Sequence, residues 1–427
     1  MKRLIRVFTI ATLSLLPLGC LGPKTPENND TNNSNHPSGF VYTSGTHFEL
    51  DGHPFYVTGS NHHYLHFASP TEINNTLQDA QTMGINVLRL WAFLDIGSPD
   101  GSASGGSPRK TTWSKYGNYT YDLNTNGVYF QYWDTASNAV RYNDGPDGLR
   151  HLDYAVSEAG KRGIKVILVF TNNWLHMGGI PQYLEWYGMS SPDYPQQIGD
   201  HNRFFTDARC RNTYKNWMNH LVNRVNFYTG ICYKNDPTIM SWELMNEIEA
   251  GGAGNTSDVY NWAGEMSSYL KQLDPNHMVG LGEQGYFSGR GSDWKYSGAT
   301  GTNFDDLIRI KTLDWGSYHL YPNYWGETAD WGQNTWIPEH LNVGKNAGKP
   351  VVLGEFGWNQ AKDAVYDHWT RKIETLDGAG WIFWRLIGKS DDGTYPADSE
   401  NFDIHAGDSA FNVLKSAAAR MTAKNNP

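Results

Sequence analysis

Cysteine is scarce in this chain, three in 427 residues, so at most one disulfide can form and a hydrophobic core has to hold the fold together. Basic charge is also short: 34 Lys and Arg face 44 Asp and Glu, a formal net charge of -10. That balance, with no basic patch, excludes nucleic acid as the expected partner, because phosphates are neutralised chiefly by Lys and Arg. Long apolar runs are missing apart from Val7 to Leu18, which is too short for a stable membrane span. No internal repeat and no second block of composition appears. A single α/β barrel routinely occupies this length.

Aromatic residues are abundant, with 17 Trp and 25 Tyr lifting the aromatic share to 14%. Their faces can stack on the apolar C–H faces of sugar rings. Packing accounts for most of them, so composition points toward carbohydrate without deciding it. The N-terminus carries Lys2, Arg3 and Arg6 ahead of the apolar run, the pattern of a signal peptide. It ends in Leu18-Gly19-Cys20, which resembles a bacterial lipobox with Cys20 as the lipidated first mature residue. Residues 1–20 are therefore expected to be a lipoprotein signal peptide and 21–39 a flexible polar tether. One folded domain is expected over 40–427. Leu21 rather than Asp after Cys20 favours the outer membrane, facing outward or into the periplasm. Cys210 and Cys232 flank an expected helix over Arg211 to Phe227, roughly 25 Å long at 1.5 Å per residue, so no disulfide is expected between them.

A hairpin, Phe48-Glu49-Leu50, Asp51-Gly52, Phe55-Tyr56-Val57, reads as a cap leading into a first strand. Apolar strand-like runs follow at Phe55 to Gly59, Asn86 to Trp91, Lys165 to Thr171, Ile239 to Met245, Met278 to Gly282, Trp315 to Leu320, Val351 to Gly354 and Trp381 to Leu386. Amphipathic stretches lie between them, among them Pro70 to Met83, Gly148 to Arg162, Ser257 to Leu273 and Asp363 to Leu376. Eight such alternations predict an α/β fold of the (β/α)₈ TIM-barrel type. The insert from Gly97 to Asp147 follows strand two and carries Trp113, Tyr116, Tyr119, Tyr129, Phe130 and Trp133. It is expected to fold as a wall of the cleft at the C-terminal face.

Polar residues stand directly after the apolar runs: Arg89 and Trp91 on strand two, Asn172, Asn173 and Trp174 after strand three, and Asn246 and Glu247 after strand four. His319 and Tyr321 close strand six, Glu355 strand seven, and Trp384 lies on strand eight. Glu247 and Glu355 then face each other across the barrel mouth. Paired carboxylates suit glycoside hydrolysis, one protonating the leaving oxygen and the other attacking the anomeric carbon or activating water. Glu243 falls inside strand four and Glu249 just past the site. Tyr64 and Glu283, at the ends of strands one and five, are candidates for outer subsites. His62 and His63 read as cleft lining; with His66 they could suggest a metal cluster, but adjacent residues on a strand point to opposite faces. No metal is expected.

With these motifs in place, the chain resembles glycoside hydrolase family 5 from about Phe48 to Met421. Trp242-Glu243-Leu244-Met245-Asn246-Glu247 is similar to the family's acid/base strand and Gly354-Glu355-Phe356-Gly357 to its nucleophile strand. Arg89, His319, Tyr321 and Trp384 are similar to its other active-site positions. Within the family the resemblance is to the endo-β-1,4-mannanases, through Gly148 to Tyr154, Asn172-Asn173-Trp174 with Gly178-Gly179, Asp236 to Met240, and Asp391-Asp392-Gly393. Asn172 and Asn173 stand where family cellulases often show a His.

The resemblance implies hydrolysis of mannan, glucomannan or galactomannan backbones with retention of configuration, by a monomer that needs no cofactor. Glu247 would be the acid/base and Glu355 the nucleophile, held ionised by Arg89 and Tyr321. Asn246 would bind the sugar 2-hydroxyl, His319 would orient the acid/base or substrate, and Trp384 would floor the subsite of the distorted ring. Trp91, Asn173 and Trp174 complete the substrate-binding set. An exo-β-mannosidase, a β-1,4-glucanase of the same family and an inactive glycan-binding lipoprotein remain as alternatives.

Overall fold

The computed structural model describes residues 36–100, 127–189, 200–398 and 400–425. The signal peptide, Cys20 and nearly all of the tether, and Trp113, Tyr116 and Tyr119 of the long insert, lie outside the described residues. Eight parallel strands form one sheet. They are β1 (Val57–His62), β2 (Val87–Trp91), β3 (Lys165–Val169), β4 (Ile239–Glu243), β5 (Met278–Gly280), β6 (Gly316–Leu320), β7 (Val351–Phe356) and β8 (Gly380–Phe383). Their order is β5-β4-β3-β2-β1-β8-β7-β6, the sequential winding of a (β/α)₈ barrel with its seam between β5 and β6. The seam is bridged by Asp314 N–H to the Val279 carbonyl at 2.8 Å and His319 N–H to the Gln284 carbonyl at 3.1 Å. Nearly every strand residue is buried. Helices cover the outer face and side chains fill the inner one, which is why these segments read as apolar runs.

The helices that follow the strands include α1 (Pro70–Met83), α2 (Leu149–Lys161), α3 (Ala208–Val222), α4 (Thr256–Leu273), α5 (Phe304–Leu307), α6 (Ile337–Ala347), α7 (Lys362–Thr375) and α8 (Ser409–Asn425). Local chemistry fixes the bounds of α1. The Ser69 hydroxyl accepts from Glu72 N–H while the Glu72 carboxylate accepts from Ser69 N–H, Pro70 opens the first turn, and Gly84 closes the helix at φ 85°. The helix expected over Arg211 to Phe227 is instead α3, which begins three residues earlier. Asp207 caps it by accepting from Arg209 N–H, and the chain then turns back so that Val225 bridges Cys232. Cys210 is a buried free thiol, so no disulfide joins it to Cys232.

The bottom of the barrel is closed by a three-stranded antiparallel sheet, Val41–Ser44, His47–Leu50 and His53–Phe55. The sequence reading gave only its second hairpin. Phe48 is fully buried there and meets Trp315 edge-on at 6.2 Å between ring centroids. Burial of each such large side chain contributes about 1.5–3 kcal/mol, and together they leave the opposite end of the barrel as the open one. Of the insert after β2, the described part folds as expected. Asp95–Ile96, Gln131–Asp134 and Ala139–Tyr142 form a small sheet that buries Phe130 and Trp133. No helix among the described residues is long and apolar enough to cross a membrane.

Candidate active site

Side chains alternate along a strand, and on β4 that alternation separates two functions. Trp242 faces outward, its indole donating to Asp274 at 2.8 Å. Glu243 faces the barrel axis, where its carboxylate meets Arg89 of β2. Beyond β4 the chain places Asn246 and then Glu247, which adopts a left-handed backbone at φ 53° with its N–H on the Gly282 carbonyl at 2.7 Å. Such a conformation in a residue other than glycine is costly, and is found where surrounding structure imposes it. Glu355 arrives from β7 and His319 from β6. One carboxylate oxygen of Glu247, one of Glu355 and an imidazole nitrogen of His319 all lie within 4.8 Å of one another.

Each carboxylate has its own partners. Arg89 donates from Nη1 to Glu355 Oε1 at 2.7 Å, and the Tyr321 hydroxyl donates to Glu355 Oε2 at 2.9 Å. The Trp174 indole donates to Glu247 Oε2 at 2.5 Å. His319 Nδ1 shares a 2.8 Å hydrogen bond with Glu247 Oε1 and lies 3.5 Å from Glu355 Oε2. The rest of the guanidinium is also engaged, Nη1 on Asn61 Oδ1 at 3.1 Å and Nη2 on Asn246 Oδ1 at 3.0 Å.

Burial raises both carboxyls above their usual range. It is opposed at Glu247 mainly by the Trp174 hydrogen bond and at Glu355 by His319 and Arg89. Glu355 has the Arg89 guanidinium in direct contact, whereas Arg89 acts on Glu247 from farther away. Burial holds His319 neutral, its pKa down to about 4. The three groups also have metal-ligating spacing. Two carboxyls with different partners can take different roles, one as a proton donor and the other as a charged group.

Around this centre, Trp384 stacks on His63 at 5.2 Å and donates its indole N–H to Glu400 at 3.1 Å. Trp91 stacks on Phe93 at 5.0 Å and is largely buried. Gly178 and Gly179 earn their place through close approach: a Cβ on Gly179 would lie 2.0 Å from the Trp174 carbonyl, so a side chain there would displace the indole that contacts Glu247.

Several expectations are corrected. Asn173 is buried, its amide oxygen accepting from Glu249 N–H and facing His201, so it braces the loop after β4. Asn172 instead braces Asn246, whose amide it accepts from at 3.0 Å and which in turn accepts from Arg89. Tyr64 binds Thr76 and the Leu386 carbonyl; Glu283 is fully buried, its carboxyl pushed far up by desolvation. Burial removes Glu283 from any outer subsite, while Tyr64 stays half-buried with its ring 5.7 Å from that of His63. His62, the last residue of β1, is also fully buried, whereas His63 just beyond the strand lies beside Trp384. Sequence reading missed Asn61 and Glu400 and set Glu243 aside. Asn61 was signalled by its place on β1 beside His62, whereas Glu400 sits in a loop with no pattern to mark it.

Comparison with known proteins followed the same lines. Residues 128–380 match a family model described as GH family 5 β-mannosidase-like. The chain is 31% identical to mannan endo-1,4-β-mannosidase F of Aspergillus fumigatus over 87% of this chain and 76% of that protein. It is also 31% identical to mannan endo-1,4-β-mannosidase A of Podospora anserina, over 87% and 88%. Among solved structures, the endo-1,4-β-mannanase of Rhizomucor miehei superposes with a TM-score of 0.76 at 30% identity, covering 90% of this chain and 99% of that one. The endo-β-1,4-mannanase of Thermotoga petrophila gives 0.71 at 33%, covering 86% and 77%.

Proposed function

The chain belongs to glycoside hydrolase family 5, and from that premise we propose that it is an endo-acting β-1,4-mannanase cutting mannan, glucomannan or galactomannan backbones with retention of anomeric configuration. The observation that carries the mechanism is the approach of the two carboxylates, an oxygen of each within 4.8 Å. Inverting enzymes hold theirs ~6.5–9.5 Å apart to seat a water, and retaining ones ~5–5.5 Å. The names of the relatives supply the substrate.

In the first step Glu355 attacks the anomeric carbon while Glu247 gives its proton to the glycosidic oxygen, so the C–O bond breaks and a glycosyl ester forms. In the second, Glu247 removes a proton from water, whose oxygen attacks the same carbon and releases Glu355 as carboxylate. Arg89 and Tyr321 hold Glu355 ionised between turnovers. Trp174 and His319 fix the orientation of Glu247, with Trp384 beneath the reacting sugar and Asn246 at its 2-hydroxyl. Two carboxyls and water suffice, so no cofactor enters.

The test is hydrolysis of soluble galactomannan and glucomannan beside carboxymethylcellulose, with Glu247→Ala and Glu355→Ala as controls. Internal cleavage of the mannans, lost in both variants, is expected. Cleavage of cellulose alone refutes the substrate, and release of single mannose units alone refutes endo action.

We propose further that the protein is exported and lipid-anchored at Cys20, with 40–427 as the catalytic domain. The support is the basic, apolar and Leu18-Gly19-Cys20 sequence of the N-terminus. Cys20→Ala is expected to abolish metabolic labelling with palmitate and release the protein from membranes; unchanged fractionation refutes the anchor.

A further inference from the structure

Arg89 is usually read through the nucleophile it touches, yet its guanidinium is shared. Nε donates to Glu243 Oε2 at 2.7 Å, the same distance at which Nη1 meets Glu355. Arg89 and Glu243 are both fully buried, and the other Glu243 oxygen has no hydrogen-bond partner. A buried carboxylate held by a single ion pair is a poor way to gain stability, because desolvation offsets the Coulomb attraction. Its effect falls instead on what Arg89 does next. We propose that Glu243 is a positioning residue for the glycosidase reaction: by pairing with Arg89 Nε it fixes the guanidinium between Glu355 and Asn246 and cancels most of the charge that the catalytic carboxylates would otherwise feel.

The geometry permits this because the strands converge. Glu243 on β4 and Arg89 on β2 point inward at the same level, with Asn61 of β1 on the third side and Glu355 of β7 on the fourth. The Gly282 backbone packs directly over the carboxylate, since a Cβ there would lie 2.9 Å from Glu243 Oε2. The charged and titratable groups that face the assembly are Arg89, Glu355, Glu247, His319 and Tyr321, with His176 and Glu400 acting on Glu247 from the loops above. Arg89 is the one cation in contact with the carboxylates among the described residues. With Glu243 ionised, the Arg89–Glu243 pair is nearly neutral as seen from Glu247 and Glu355. Glu247 then keeps its proton near neutral pH, and the electron pair of Glu355 is oriented without being clamped. Removing that one negative charge exposes both carboxyls to the full guanidinium.

The inference rests on the glycosidase reading above. The experiment compares the full-length parent, Glu243→Gln and Glu243→Asp by pH profiles of kcat and KM on galactomannan. It adds the pH dependence of inactivation by a 2-deoxy-2-fluoro-β-mannosyl fluoride, which reports attack by Glu355. Gln preserves the volume and can still accept from Nε, so a merely structural role would leave both pH limbs in place. The expectation is that both limbs move to lower pH by about one unit, the shift a charge at this range produces. With them kcat falls at least ~10-fold and KM barely changes. Asp keeps the charge, and its limbs are expected to stay with the parent's even as kcat falls. Superimposed limbs and kcat in Glu243→Gln overturn the proposal. Carbon-13 titration of labelled glutamate in the parent must also find Glu243 ionised across the active range. A neutral Glu243 overturns the proposal whatever the variants do, and this measurement holds even if the parent proves inactive on mannan.

Discussion

Trp174→Phe isolates one hydrogen bond at Glu247, the proposed acid/base. The indole N–H donates to Glu247 Oε2 at 2.5 Å, a charge-assisted contact that favours the ionised carboxyl. Hydrogen bonds to charged groups contribute ~1.5–3 kcal/mol, and one pKa unit corresponds to about 1.36 kcal/mol. Phe keeps the aromatic body and removes only the donor, so the Glu247 pKa is expected to rise by about 1–2 units. Glu247 keeps 15% of its side-chain surface exposed; water can replace part of the lost bond, which puts the expectation at the lower end. Glu247 must be protonated to assist departure of the leaving group. A higher pKa therefore carries the alkaline limb of kcat/KM to higher pH, while the acid limb, set by Glu355, stays. The assay is initial-rate hydrolysis of galactomannan between pH 4 and 10. An alkaline limb that stays in place or moves to lower pH would refute the assignment of Trp174 as partner of the proton donor.

Two further outcomes follow from buried charge. Arg89→Met leaves Glu243 and Glu355 facing each other without a cation, and breaking a buried pair in this way costs about 3–5 kcal/mol. Both folded pKa values then rise, so stability is full below the unfolded value and is lost as pH rises through the folded one. Urea denaturation is expected to show a larger deficit at pH 7 than at pH 5, with activity down ~10²–10³-fold; a deficit independent of pH refutes the ion-pair account. Glu283, buried without a partner for Oε2 and raised far above its usual pKa, follows the same sign. Its contribution is intact below the unfolded pKa of about 4.3 and declines as pH rises. Glu283→Gln is expected to melt higher than the parent at pH 8 and no higher at pH 4, the gain being about 1.4 kcal/mol per unit of pKa elevation. Equal melting temperatures at pH 8 would show that Glu283 carries no ionisation penalty.

The chain determined by itself what depends on local pattern. Ser69, Pro70, Glu72 and Gly84 specify α1 because capping and φ preference act within a few residues, and the eight apolar runs specify buried parallel strands. Polar residues at the ends of such runs are carried toward one end of the barrel, which singled out Glu247, Glu355, His319 and Tyr321 beside Arg89 of β2, although the same rule also picked Asn173 and Glu283, which the fold buries. The start of α3 was legible too, in Asp207, but weak amphipathicity at Cys210 hid it.

Tertiary structure decided everything that rests on partners distant in sequence. Glu243 looks like an interior strand residue until Arg89, 154 positions away, is brought to its carboxylate. Asn172 and Asn173 are chemically the same side chain, and only the backbone bridge to Asn246 puts the first on the Asn246 amide and the second beneath the next loop. His62, His66 and Glu283 carry polar groups that composition assigns to a surface, yet the layers packed above them bury each one. Sequence fixes which residues can reach the barrel axis through a period of two; which of them meet there, and with what charge around them, is set by the closure of eight strands around one core.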